Sequence, residues 1–119
     1  MNKLDQQAAQ FIPLTPAVYH ILLALADEDR HGLGIMQDME DRTGGKVLPG
    51  PGTLYGTIKR LLEAELIQEA PRGKHTSDDP RRRYYRLTQL GRQAAALETE
   101  RLSTLVQIAQ DKALQRSAR

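Results

Sequence analysis

Between Pro71 and Arg86 the chain places six cationic side chains, Arg72, Lys74, Arg81, Arg82, Arg83 and Arg86, against the carboxylates of Asp78 and Asp79. The whole protein carries a formal net charge of only +2, so this segment is a local excess on a near-neutral chain. Cations gathered in one place suit a polyanion, because each can replace a condensed counterion. On charge alone nucleic acid is the leading partner. A second set lies upstream, where Thr53, Tyr55, Gly56, Thr57, Lys59 and Arg60 fall within eight residues. Glycines allow close approach, hydroxyls can meet base edges, and the two cations can reach phosphates. Tyr55 is open between two roles, core packing and a hydroxyl on phosphate, since an amphipathic ring can serve both. His75 sits among the basic residues and joins the same candidate set.

Covalent chemistry finds no support. There is no cysteine, which removes thiolate catalysis, disulfides and cysteine zinc sites together. His20, His31 and His75 are too few and too separated to hold a metal, and His31 before Gly32 reads as a helix-end contact. Asp38, Glu40 and Asp41 read as the wet face of a helix, since no His, Cys or phosphate-cradling loop accompanies them. No cofactor motif and no nucleophile–base pair is present, so an enzyme is not expected.

The elements that must position these residues follow from periodicity and capping. The chain has 119 residues, 39% of them hydrophobic and 27% charged, which suits a single ordinary domain. The longest wholly apolar stretch is Ile21 to Ala26, far short of the roughly 20 residues that span a bilayer. Asp5, Gln6 and Gln7 interrupt any signal-like start, so a cytoplasmic location is expected. Leu4, Ala8 and Phe11 share one face of a short helix ended by Pro13. Thr15-Pro16 starts the next helix, with an N-cap oxygen and proline at the first position. A further helix over about residues 32–43 has Leu33, Ile35, Met36 and Met39 as its apolar positions and is closed by Gly44-Gly45. Gly50-Pro51 opens another, to about Ala64, with Leu54, Ile58, Leu61 and Leu62 inward.

Residues 66–70 and 82–87 read as two strands of a hairpin whose loop and flanks are basic. Thr88 then caps a last helix over residues 89–113. The fold class is therefore mainly α with a small β-hairpin, in the order of a winged helix-turn-helix followed by a long C-terminal helix. Residues 1–88 would form the reading domain and residues 89–119 a dimerisation arm. That arm is too long to bury its apolar side within one subunit. Its Leu97, Leu102, Leu105, Ile108 and Ala109 are expected to form a dimer seam with Leu4, Ala8 and Phe11. The rival is a helix folded back on its own domain.

The residues in these elements resemble the PadR family of winged-helix transcriptional regulators. The matching stretches are Leu14-Thr15-Pro16-Ala17-Val18-Tyr19-His20-Ile21-Leu22, His31-Gly32-Leu33-Gly34-Ile35, Gly52-Thr53-Leu54-Tyr55-Gly56-Thr57-Ile58-Lys59-Arg60-Leu61, Glu65-Leu66-Ile67 and Arg83-Tyr84-Tyr85-Arg86-Leu87-Thr88. The resemblance covers roughly residues 12–92. It implies a homodimeric repressor of the short C-terminal branch, binding a pseudo-palindromic operator in double-stranded DNA. It leaves room for a small-molecule effector whose identity these residues do not carry. Two departures stand out. Leu33 replaces the family's usual tyrosine, and nothing aromatic follows Tyr85, so flat hydrophobic drugs are not carried over as ligands. A winged-helix module that binds protein instead of DNA is the alternative.

Overall fold

The computed structural model describes residues 2–72 and 79–116. Helix α1 (Lys3–Ala9) is followed by α2 (Pro16–Ala24), strand β1 (Arg30–His31), α3 (Gly32–Thr43) and α4 (Pro51–Glu63). Strands β2 (Ile67–Ala70) and β3 (Tyr84–Leu87) and helix α5 (Gln89–Asp111) follow among the described residues. The expected caps are in place. The Thr15 and Thr88 side chains accept the amides of Val18 and Gly91, and Gly44 ends α3 in the left-handed region at φ 63°. His31 caps α3, its Nδ1 accepting the Gly34 amide at 3.1 Å.

The sheet has three antiparallel strands in the order β1-β3-β2, one more than the expected hairpin. β3 lies at the centre, with Tyr84 and Tyr85 opposite His31 and Arg30 on one side and Ala70 and Glu69 on the other. Strict alternation puts Tyr84 on the same face as Arg82 and Arg86, yet Tyr84 and Tyr85 are both buried. The His31 ring meets Tyr84 edge-on at 5.2 Å and shields that face. The core between sheet and helices is built from Ile21, Leu22, Ile35, Met39, Leu54, Ile58, Leu66 and Ile67.

Leu33 departs from its expected inward position and is 53% exposed. It stands two residues from Ile35, about 200° away around the helix, so only one of them can face the core. Asp38 is less wet than expected: it lies 2.7 Å from Arg42 and 3.4 Å from Arg30. Arg30 also donates from Nε to the Ala24 carbonyl at 2.6 Å, closing the end of α2.

Helix α4 ends in a Schellman turn. The Leu66 amide bonds the Leu61 carbonyl and the Glu65 amide the Leu62 carbonyl, both at 3.0 Å. Glu65 therefore takes φ 61°, a conformation that costs a residue with a Cβ about 1–2 kcal/mol. Glu65→Gly is expected to stabilise the fold by about 0.5–1 kcal/mol after glycine's own entropy cost. Urea denaturation of the two proteins at matched concentration checks it, and equal or lower stability of the variant would refute it.

Helix α5 runs 23 residues and has two halves. Gly91, Ala94 and Glu98 are buried in its first half, which packs on α1, α2 and β3. Leu105, Val106 and Ile108 in its second half are each about half exposed. The helix is thus folded back at its start and projects at its end.

Candidate nucleic-acid interface

The side chains of α4 divide as its periodicity demands. Leu54, Ile58 and Leu61 are buried, while Thr53, Lys59 and Arg60 are exposed. Thr57 is displaced from its expected role. It is buried, its hydroxyl donates to the Thr53 carbonyl at 2.9 Å, and it accepts Arg60 Nη2 at 3.1 Å. The hydroxyl thus orients Arg60, leaving Thr53 as the outward threonine of the helix. Gly56 is open on its outer side, where an added Cβ would meet only Arg60 Nη1, at 3.8 Å.

Tyr55 packs with part of its ring and leaves the rest open. A Cβ on Gly32 would lie 2.6 Å from the Tyr55 ring and hydroxyl, so the ring roofs the first residue of α3 and holds the two helices in register. The side chain is nevertheless 47% exposed, and it lines an open groove of about 450 Å³. Arg81, Arg82 and Arg83 of the wing line the same groove, and so does Leu33. The apolar pattern of the sequence points Leu33 to the core. The signal that could have placed it here is its angular distance from Ile35 and Met39.

The wing cations have different local duties. Arg72 donates from Nη1 to the carbonyls of Asp79 and Arg82 at 3.1 and 2.9 Å, tying the two sides of the wing together. Arg81 pairs with Asp79 at 3.0 Å and is otherwise exposed. That guanidinium holds the Asp79 carboxyl below its usual pKa. Arg82 Nη1 lies 3.3 Å from His31 Nε2, and Arg83 is exposed. Arg86 meets Asp29 at 2.6 Å, so part of the positive excess counted along the sequence is neutralised within the fold. Lys74 and His75 lie outside the described residues.

The expected seam residues are not all alike. Ala8 is wholly buried in the chain's own core, where α1 packs on α5, so it has no surface left for another chain. Leu4, Phe11, Leu97, Leu102 and Ala109 are half-buried. Leu105 and Ile108 remain open. Among the described residues no group of His, Cys, Asp and Glu could hold a metal ion. No described helix is long and apolar enough to cross a membrane.

Comparison with known proteins gives this arrangement a lineage. A protein of Lysinibacillus sphaericus is 39% identical over 72 residues, spanning 60% of this chain and 64% of that one. RosR of H. salinarum superposes with a TM-score of 0.61 at 25% identity, covering 88% of this chain and 99% of that one. Bacillus subtilis PadR, solved in complex with operator DNA, superposes at 0.55 with 17% identity, covering 90% of this chain and 50% of that one. At that identity the likeness shows the fold. Residues 21–97, which run from α2 through the wing into α5, match the family of PadR-like transcriptional regulators, and the chain belongs to it.

Proposed function

We propose that the protein is a dimeric repressor that inserts α4 into the major groove of a pseudo-palindromic operator and lays the wing on the flanking backbone. The observation that carries this reading is the shared groove, lined together by Tyr55 of α4 and by Arg81, Arg82 and Arg83 of the wing. Thr53 and Gly56 would approach base edges, while Tyr55, Lys59, Arg60 and the wing arginines would meet phosphates. Arg72 would act by shaping the wing, and Lys74 and His75 would extend its cationic surface. The operator complex formed by Bacillus subtilis PadR, which shares this fold, supports the reading.

Residues 1–88 would serve as the reading head and residues 89–119 as the arm that joins two heads. Leu102, Leu105, Ile108 and Ala109 would form the seam, with Leu4, Phe11 and Leu97 near its base. An exposed apolar stripe on a projecting helix favours association. Recognition helices in such a dimer would sit one helical turn apart, about 34–36 Å. Occupying the operator would block polymerase without any covalent step. An effector would act only through unequal affinity for two dimer states.

Binding to the protein's own promoter region, compared with random duplex across about 50–200 mM salt, tests the proposal. The expected result is specific binding by a species that sediments as a dimer, with affinity falling steeply as salt rises. Equal, weak binding to both duplexes would overturn it in favour of a protein partner.

A further inference from the structure

Glu98 is 2% exposed, and it is the one carboxylate among the fully buried described residues. It sits where α5 passes from its packed half to its projecting half. Its Oε1 accepts the Leu14 amide at 3.0 Å and Arg101 Nε at 3.1 Å, and its Oε2 accepts Arg101 Nη2 at 2.5 Å. Leu14 belongs to no helix or strand and directly precedes the Thr15 cap of α2. One carboxylate thus joins the arm to the base of the reading head. Beside it the Tyr19 hydroxyl and Thr99 Oγ1 lie 2.7 Å apart, a second tie between α2 and α5.

Nothing in helix formation requires a charge here. Burying a carboxylate is costly, and a well-packed apolar side chain of similar volume often serves stability as well or better. Apolar contact, however, is non-directional, so it would let α5 rest against the body at several neighbouring angles. The bond that crosses to the body, from the Leu14 amide to Oε1, is directed and charge-assisted, and the two from Arg101 on the same helix hold the carboxylate in the rotamer that meets it, so it is satisfied over a narrow range of angles. Arg101 keeps the carboxylate ionised and its pKa below the usual range.

We infer that Glu98 is a positioning residue, whose buried carboxylate fixes the angle at which α5 leaves the winged-helix body and so the separation of the two reading heads. The inference rests on the dimeric reading proposed above. It assigns Glu98 and Arg101 no contact with DNA. They set which half-site spacing the dimer accepts.

The chain has no cysteine, so Glu63→Cys at the exposed end of α4 gives one spin label per protomer. Pulsed electron resonance then reads the distance between heads in the labelled parent, with E98Q, and with R101K, which keeps the charge but loses the planar fork. The parent is expected to give one narrow distance. Both variants should remain dimeric and unfold cooperatively, yet show a broadened or shifted distribution. Their preference among operators of altered half-site spacing should fall about 5-fold or more, with affinity for random duplex unchanged. Unchanged distances and spacing preference in folded, dimeric variants would overturn the inference alone, as would an affinity loss uniform across spacings. If E98Q does not fold, R101K decides by the same readings. A parent that sediments as a monomer overturns the dimer reading and this inference together.

Discussion

Replacing Arg81, Arg82 and Arg83 together by Ala is expected to weaken binding to every duplex by about 100-fold near 0.15 M salt. Each phosphate contact contributes about 0.9 to the slope of log affinity against log salt, so three lost contacts flatten it by close to 3. The loss should be uniform across sequences, because backbone cations position the protein without reading bases. Arg81 is expected to contribute least, since it must exchange the Asp79 carboxylate, 3.0 Å away in the free protein, for a phosphate. Arg83, which is exposed, should contribute most. Titrations of the triple variant and the three single variants over a salt series separate these shares. An unchanged slope for the triple variant would remove the wing from the interface.

Gly91→Ala carries the largest expected cost to the fold. A Cβ at this position would lie 1.8 Å from the Leu66 carbonyl oxygen and 2.8 Å from its carbon. These are backbone atoms, so no rotamer change relieves the contact. The same oxygen accepts the Thr88 amide at 3.2 Å, and the Thr88 hydroxyl donates to the Glu65 carbonyl at 2.6 Å. Moving Leu66 away would disturb the end of α4, the start of β2 and the cap of α5 together. The expected destabilisation is about 3 kcal/mol or more, read as a fall in the denaturation midpoint. A loss below about 1 kcal/mol, within the ordinary range for a point substitution, would mean that α5 slides on β2 more easily than this contact implies.

The parts of the molecule that were legible in its sequence are those decided locally. Thr15-Pro16, Thr88 and Gly44 mark helix ends because the capping oxygen, the fixed proline φ and the left-handed glycine act within a few residues. The inward row of α4 is legible because Leu54, Ile58 and Leu61 repeat at helical spacing. What escaped depends on distant partners. Strand β1 has two residues, too few to carry a pattern, and it is a strand only because Tyr84 and Tyr85 pair with it. The second arginine duty is equally non-local: Arg86 is neutralised by Asp29, fifty-seven positions away. Thr57 reads from its type as a hydroxyl for base edges, whereas that hydroxyl is held by its own helix. Glu98 did leave a trace, since Gly91, Ala94 and Glu98 recur on one face of α5. A carboxylate on that face reads as an interruption of the apolar row until its partners at Leu14 and Arg101 are known.

The buried carboxylate in the middle of α5 also gives the molecule the mechanics of a lever. From Glu98 to the end of the helix at Asp111 the arm is about 20 Å long, at about 1.5 Å per residue. A tilt of about 10° at the fulcrum displaces the far end by roughly 3.5 Å, close to the 3.4 Å rise of one base pair. In the proposed dimer, a rotation too small to disturb the packing of either reading head would therefore be enough to move one head a full base-pair step along the duplex relative to the other.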